Sequence, residues 1–115
     1  MNKSYCAFVF FVVLFSATVQ AQQAKEIRRF QLKEVKQGVA VDAVHFYVIN
    51  NSSITKHTKT DGTQVAYWKD TTGIFKHLNS GIIIGNKLYC ANSNYPDKPK
   101  ASSIEIFDAA TLKHI

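Results

Sequence analysis

The sequence predicts an all-β fold built from four-stranded antiparallel units, and three observations lead to this prediction. Beyond Ala21, short apolar or alternating runs that are typical of strands are separated by turn signals. No window in this region carries a sustained helical period. The order of runs and turns then recurs further along the chain. With 115 residues, 46% of them hydrophobic, the chain has a globular composition and room for at most one ordinary domain.

Residues 1–21 have the layout of a signal peptide. Lys3 precedes an apolar run from Tyr5 to Phe15, and small residues then place Val19 and Ala21 where a signal peptidase reads the chain. The alternative is an uncleaved anchor, but the apolar run is much shorter than the roughly 20 residues that span a membrane. We expect cleavage after Ala21, a mature region of residues 22–115, secretion or a periplasmic location, and no stable membrane span.

The mature region is mildly basic and contains one thiol. Cleavage after Ala21 leaves 13 Lys and Arg against 8 Asp and Glu, a net charge of +5. These charges are dispersed, and no block of five like charges occurs, which argues against a nucleic-acid partner. Cys90 has no second cysteine to pair with and lies in a predicted strand, so we expect a buried, unreactive thiol.

The first predicted unit covers about residues 37–68. A strand near Ile27–Val35 precedes it, because Phe30 and Leu32 alternate with polar residues. Within the unit, a turn at Lys59–Gly62 contains the Asp-Gly pair that is common in hairpins. The four predicted strands are Val39–Val41, His45–Ile49, Ser53–Thr58 and Gln64–Trp68.

The second predicted unit covers about residues 78–115 and repeats the same order. The matching segments are Gly81–Gly85 with Gly38–Asp42 at a separation of 43, Leu88–Cys90 with Phe46–Val48 at 42, and Ile104–Phe107 with Ile54–His57 at 50. An inserted loop, Asn92–Ser102, explains the larger last value. Asp108–Thr111 occupies the turn position, and the residues after it start a fourth strand.

A period of roughly 40–45 residues with four strands each is the spacing of β-propeller blades. The prediction is therefore a β-propeller fragment of about two blades, the second incomplete. A small sandwich or barrel with two similar hairpin pairs is the alternative. Because two blades alone leave apolar faces uncovered, we expect the native polypeptide to continue beyond Ile115. The strand near Ile27–Val35 fits a closed propeller, which often completes its last blade with an N-terminal strand. In this fragment we expect that strand to pack on the first blade or to stay mobile.

In a propeller, the loops that enter the inner strands and those that join the second and third strands gather around a central funnel. Long loops on one face of a repeat array often form its binding surface. We therefore predict a ligand-binding rim. Its candidate residues are Gln37, His77, Asn79, Ser80, Asn92, Asn94, Tyr95 and Asp97.

These side chains could bind a hydroxylated acid or a glycan, or coordinate Ca²⁺ through oxygen atoms. The alternative is that Asn, Ser, Asp and Pro only shape the loops. Spacings typical of transition-metal sites, of a nucleophilic serine elbow and of a phosphate-binding loop are missing from the sequence.

Three segments resemble a known group of proteins: Gln37–Asp42, Leu78–Gly81 and Leu88–Pro96. They resemble secreted bacterial propeller proteins that are often labelled cycloisomerases, and the resemblance spans about residues 36–115. It implies the fold but supplies no catalytic residues. Gluconolactonase-like propellers hold a divalent cation with an acidic residue where this chain has Gln37. Glutaminyl cyclotransferase propellers share the Gln-Gly start of the first blade.

Two functions follow as hypotheses. One is an exported enzyme that acts on a lactone or sugar acid at the funnel, where only His77 and Asp97 are ionisable candidates. The other is a propeller without catalytic activity that binds a glycan or a protein. The sequence does not decide between them.

Overall fold

The computed structural model describes residues 23–33 and 35–115, so the predicted signal peptide lies outside the described residues. The described chain is all-β, with seven antiparallel strands in two sheets and no helix. No helix in this part of the chain is long and apolar enough to cross a membrane. The strands are β1 Gly38–Val41, β2 His45–Asn50, β3 Ser53–Thr58, β4 Gln64–Lys69, β5 His77–Ile84, β6 Lys87–Ser93 and β7 Ser102–Asp108.

The two predicted units form two separate sheets. Sheet 1 has the order β1-β2-β3-β4 and sheet 2 the order β5-β6-β7, so each is a meander of neighbouring strands. After β7, the chain turns at Asp108 and returns to form a single bridge between His114 and Phe107. That bridge stands where the sequence predicts a fourth strand.

The sheets pack face to face around one apolar core. On the inner face of sheet 1, alternate residues of β2 contribute Tyr47 and Ile49, which are fully buried. Sheet 2 contributes Leu88 and Cys90 from β6 and Phe107 from β7. These positions alternate along each strand, as the two-residue period of a pleated sheet requires.

Two glycines lie where the sheets approach each other closely. A Cβ atom on Gly38 would lie 3.0 Å from the Asn79 carbonyl oxygen, and one on Gly81 would lie 2.6 Å from Ile49 Cδ1. Both glycines therefore line the interface between the sheets. Gly38 faces sheet 2 and Gly81 faces sheet 1. When the two units are superposed strand on strand, these directions correspond to opposite faces of the sheet.

The predicted match of Gly38 with Gly81 is wrong in register. Gly81 pairs with Cys90 and therefore corresponds to Val39, which pairs with Val48, and this one-residue shift moves the side chain to the other face. Pairing within the sheets instead relates Ala40 to Ile82, because Ala40 pairs with Tyr47 and Ile82 pairs with Tyr89. The separation is then 42 residues in the first two strands of both units.

A polar network joins the two sheets at the end where β1 and β5 finish. The Tyr47 hydroxyl lies 2.7 Å from Asp42 Oδ2 and 3.1 Å from the Ala109 carbonyl oxygen, which also accepts a bond from Lys56 Nζ at 2.9 Å. Burial opposes the ionisation of Asp42. Hydrogen bonds from Tyr47 and from the amides of His45 and Val44 outweigh it and hold the pKa of Asp42 well below its ordinary value.

The predicted strand near Ile27–Val35 is wrong, since residues 27–33 and 35 form no strand. Phe30 packs on the outer face of sheet 1, with its ring stacked on Phe46 at 5.0 Å between centroids. Arg28 donates hydrogen bonds to the carbonyl groups of Lys59 and Thr60. Side chains rather than a backbone ladder therefore hold this segment on the first sheet, and the alternation of Phe30 and Leu32 reflects one-sided packing.

Candidate functional site

The rim is the end of the two sheets at which β1 and β5 begin. Here the β2–β3 turn touches both sheets: Asn51 Oδ1 accepts from Gln37 Nε2 at 2.6 Å, and the Asn51 carbonyl accepts from the Leu78 amide at 2.9 Å. The loop between β6 and β7 reaches the same end, because Tyr95 lies 5.5 Å from His77 between ring centroids. The elements predicted to meet at one rim are thus neighbours.

A cavity of about 400 Å³, the rim groove, lies at the β5 end of sheet 2. Its volume is within the roughly 300–1,000 Å³ of small-molecule sites. Side chains with hydroxyl, amide and imidazole groups line its wall together with two apolar side chains. The lining residues are His77, Asn79, Ser80, Ala91, Asn92, Ser93, Ser102, Ser103 and Ile104.

The β5 bulge shapes one wall of the groove. Asn79 and Ser80 fall within the bulge, and the side chains of both are exposed. On the other wall, Ser93 pairs with Ser102 where β6 and β7 meet the loop. A bulge commonly redirects side chains near the end of a sheet, and here it brings two polar residues to the groove.

Asn92 lies between the wall and the core. Its Nδ2 is 3.3 Å from Ser103 Oγ, whereas its Oδ1 is buried and has no hydrogen-bond partner within the described part of the chain. An unsatisfied buried acceptor is costly and calls for a donor. Asn92 is the one candidate with this property among residues 23–33 and 35–115.

Several candidates instead stabilise the β6–β7 loop. Asn94 accepts from the Ala101 amide at 2.9 Å and donates to the Pro99 carbonyl at 2.8 Å. Asp97 forms an ion pair with Lys76, which ties the loop to the β4–β5 connection. Asn94 and Asp97 thus follow the loop-forming alternative, and Gln37 is occupied by Asn51. The structure brings His77, Asn79, Ser80 and Asn92 together in the groove and places Tyr95 beside it.

The described residues contain no group of three or more His, Cys, Asp or Glu side chains placed to hold a metal ion. The calcium hypothesis therefore gains no ligand set from this part of the chain. Its remaining oxygen donors would be the amides and hydroxyls of the groove.

Sequence reasoning missed a second polar pair, Glu105 and His114. His114 Nε2 lies 2.8 Å from Glu105 Oε2 in a cleft of about 340 Å³ that Trp68 and Phe75 line. The Ser103 hydroxyl bonds Glu105 Oε1 at 2.6 Å and, with His114, holds the pKa of Glu105 below its ordinary value against the opposing effect of burial. The sequence did contain a signal for this pair. A strand that returns after the turn at Asp108 brings His114 alongside β7, which contains Glu105.

Comparison with protein-family models, curated proteins and solved structures finds no match for this chain. The function therefore has to be argued from the fold and the rim groove.

Proposed function

We propose that this chain is part of an exported β-propeller protein that binds a small polar molecule at its rim without catalytic activity. The observation that carries the proposal is the stacking of two meander sheets, together with a groove at the β5 end of sheet 2 that contains hydroxyl, amide and imidazole groups. The resemblance of Gln37–Asp42 and Leu88–Pro96 to secreted propeller proteins points the same way.

The free face of sheet 2 supports the presence of further blades. Tyr47 lies on the covered face of sheet 1, and Tyr89, 42 residues later, lies on the face of sheet 2 that points away from sheet 1. Ile82 and Ile104 share that free face and are 58% and 63% exposed. A sheet face of this composition is buried in stable folds, and in a propeller another blade covers it.

Labelling of an introduced cysteine tests this step. We would express the protein from its gene as Ile82→Cys, on the free face but outside the groove, and, as the matched control, as Ile74→Cys, since Ile74 is 70% exposed but lies on the β4–β5 connection. If another sheet covers the face, maleimide reacts with Cys at position 82 about 100-fold more slowly than at 74, because reaction then requires local opening. Equal rates at the two positions would refute the propeller proposal.

Export rests on the pattern of residues 1–21 and has its own test. Expression in a bacterial host followed by fractionation and N-terminal sequencing is expected to give a secreted or periplasmic protein that begins at Gln22. A cytosolic protein that retains the first 21 residues would contradict export.

Binding is preferred to catalysis because of what the groove contains. His77 is the single ionisable side chain in its wall, and Asp97 pairs with Lys76. Acid–base catalysis on a lactone or sugar acid requires at least two positioned ionisable groups or an equivalent electrophile. An enzyme would have to bring those groups from other blades, and measurable lactone hydrolysis that His77→Ala abolishes would favour the enzyme.

A further inference from the structure

We infer that the cleft of about 340 Å³ beside Glu105 and His114, here called the edge cleft, binds a small organic cation of the substituted ammonium type. Its lining residues are different from those of the rim groove, so this is a second site whose ligand is independent of the one proposed there. Three features support it: the position of the cleft between the sheets, the fixed ring of Trp68, and the carboxylates of Glu105 and Asp70.

The edge cleft lies between the two described sheets. Trp68 belongs to β4, the outer strand of sheet 1, and Glu105 to β7, beside which His114 forms its bridge. Glu105 pairs with the core residue Cys90, so its side chain leaves sheet 2 on the face that meets sheet 1. A blade stacked on the free face of sheet 2 would therefore lie on the other side of that sheet. A fourth strand that continues after His114 would add in the plane of sheet 2 and extend the wall of the edge cleft.

Trp68 provides an aromatic surface that its neighbours hold in place. The Trp68 ring lies 5.1 Å from the Phe75 ring at 89° and 4.8 Å from the Phe107 ring at 69°, measured between centroids and ring planes. Both phenylalanines are buried, whereas Trp68 is only partly buried and lines the edge cleft. The negative face of an indole attracts a cation within about 6 Å of its centroid, and tryptophan is the best side chain for this interaction.

The carboxylates of the edge cleft complement a positive charge. Glu105 accepts from the Ser103 hydroxyl at 2.6 Å and from His114 Nε2 at 2.8 Å, and its side chain is 19% exposed. The Ser103 hydrogen bond, with that from His114, holds the pKa of Glu105 below its ordinary value, so this carboxylate is ionised at neutral pH. Asp70 is the second carboxylate of the lining, and its Oδ2 accepts from the Phe75 amide at 2.9 Å.

Lys69 is the one lysine or arginine among the lining residues, and its side chain points away from the edge cleft. Trp68 pairs with Ile54, which is buried in the core between the sheets, whereas Lys69 pairs with Ser53. Successive side chains of a strand alternate between its faces, so the Lys69 ammonium group leaves sheet 1 on the face opposite Trp68. His114 can donate its Nε2–H as a neutral imidazole. The edge cleft therefore favours a cationic ligand over a neutral one of the same shape.

Calorimetric titration of the processed protein from its full gene tests the inference at constant ionic strength. The probes are tetramethylammonium, choline, and the neutral alcohol in which a tert-butyl group replaces the trimethylammonium group of choline. Trp68→Leu removes the aromatic ring, and Glu105→Gln removes the charge. The matched controls are Tyr67→Leu, on the opposite face of β4, and Glu26→Gln, an exposed carboxylate outside the edge cleft. Melting curves of all variants check that the fold is retained.

We expect choline to bind at least about tenfold more tightly than the neutral alcohol. Trp68→Leu should weaken choline binding about tenfold and Glu105→Gln about fivefold, while both controls leave it unchanged. Should Trp68→Leu fail to fold, Glu105→Gln is sufficient for the test. Equal affinities for choline and the alcohol, choline binding that Glu105→Gln does not weaken, or binding of neither cation to the folded protein would overturn the inference. None of these results would bear on the rim groove, which has its own lining residues.

Discussion

Replacing Tyr47 with Phe removes one hydroxyl from the contact between the sheets. Tyr47 is fully buried, and its hydroxyl lies between the Asp42 carboxylate of sheet 1 and the Ala109 carbonyl that follows sheet 2. The variant keeps the ring and its packing. The Ala109 oxygen retains Lys56 Nζ as a donor, so the main loss falls on the Asp42 carboxylate.

A hydrogen bond to a charged, partly buried group is worth roughly 1.5–3 kcal/mol. We therefore expect Tyr47→Phe to lower the free energy of unfolding by about 2 kcal/mol at pH 7. The folded-state pKa of Asp42 lies below its unfolded value, so its stabilising contribution is present above about pH 4 and is lost as the pH falls through the folded pKa. Asp42 titrates alike in the unfolded states of the two proteins, so the difference in unfolding free energy between wild type and variant should shrink only as the pH falls towards the folded pKa of Asp42.

The contribution of the Tyr47 phenol to stability depends on pH in the opposite direction. Burial, the hydrogen bond to Asp42 and the negative charge of Asp42 raise the pKa of the Tyr47 phenol above its ordinary value. Its contribution is therefore complete below about pH 10 and declines as the pH rises through the folded pKa. The difference in unfolding free energy between wild type and Tyr47→Phe should therefore shrink above about pH 10.

Equilibrium urea unfolding at pH 3, 7 and 10.5 measures these differences. Tyr67→Phe is the matched control because the Tyr67 side chain is exposed, and its effect should stay within about 0.5 kcal/mol at every pH. A loss below about 0.5 kcal/mol for Tyr47→Phe at pH 7, or a difference that grows on acidification, would refute the role assigned to the hydroxyl.

Three further changes probe the core and the sheet interface. Burial and the negative charge of Glu105 raise the pKa of the Cys90 thiol to about 12. A disulfide reagent at pH 8 should therefore label Cys90 at least about 100-fold more slowly in native than in unfolded protein. Comparable labelling rates would contradict the burial of Cys90. Phe107→Ala should cost about 3–5 kcal/mol in urea unfolding, since the ring is fully buried; a cost below about 1 kcal/mol would show a loose core. Gly38→Ala should cost about 1–3 kcal/mol by the same measurement, because its Cβ would meet the Asn79 backbone; unchanged stability would mean that the sheets separate easily.

The strands were predictable because the signals are local. Alternating apolar residues and turn residues predicted β3 at Ser53–Thr58, which is confirmed, and the Asp-Gly turn is confirmed by a φ of +78° at Gly62. The all-β class and the separate second unit follow from the same patterns. The buried Cys90 was predictable from its strand position and is confirmed.

Register and loop contacts were not predictable from such patterns. A bulge at Asn79 and Ser80 depends on how β5 meets β6. The apparent match of two glycines gave the wrong face, because strand pairing places Gly81 at the position of Val39. Phe30 and Leu32 alternate like a strand, but Phe30 instead packs on Phe46. At the rim, residue types identified polar loops, but only coordinates separate Asn94, which holds its loop, from Asn92, which has an unpaired oxygen.

A high-resolution structure of the processed protein from its full gene would test the central claim most directly. We predict another four-stranded sheet against Ile82, Tyr89 and Ile104, packed on them as sheet 2 packs on Tyr47 and Ile49. A folded protein in which solvent or an unrelated element meets these three side chains would contradict it.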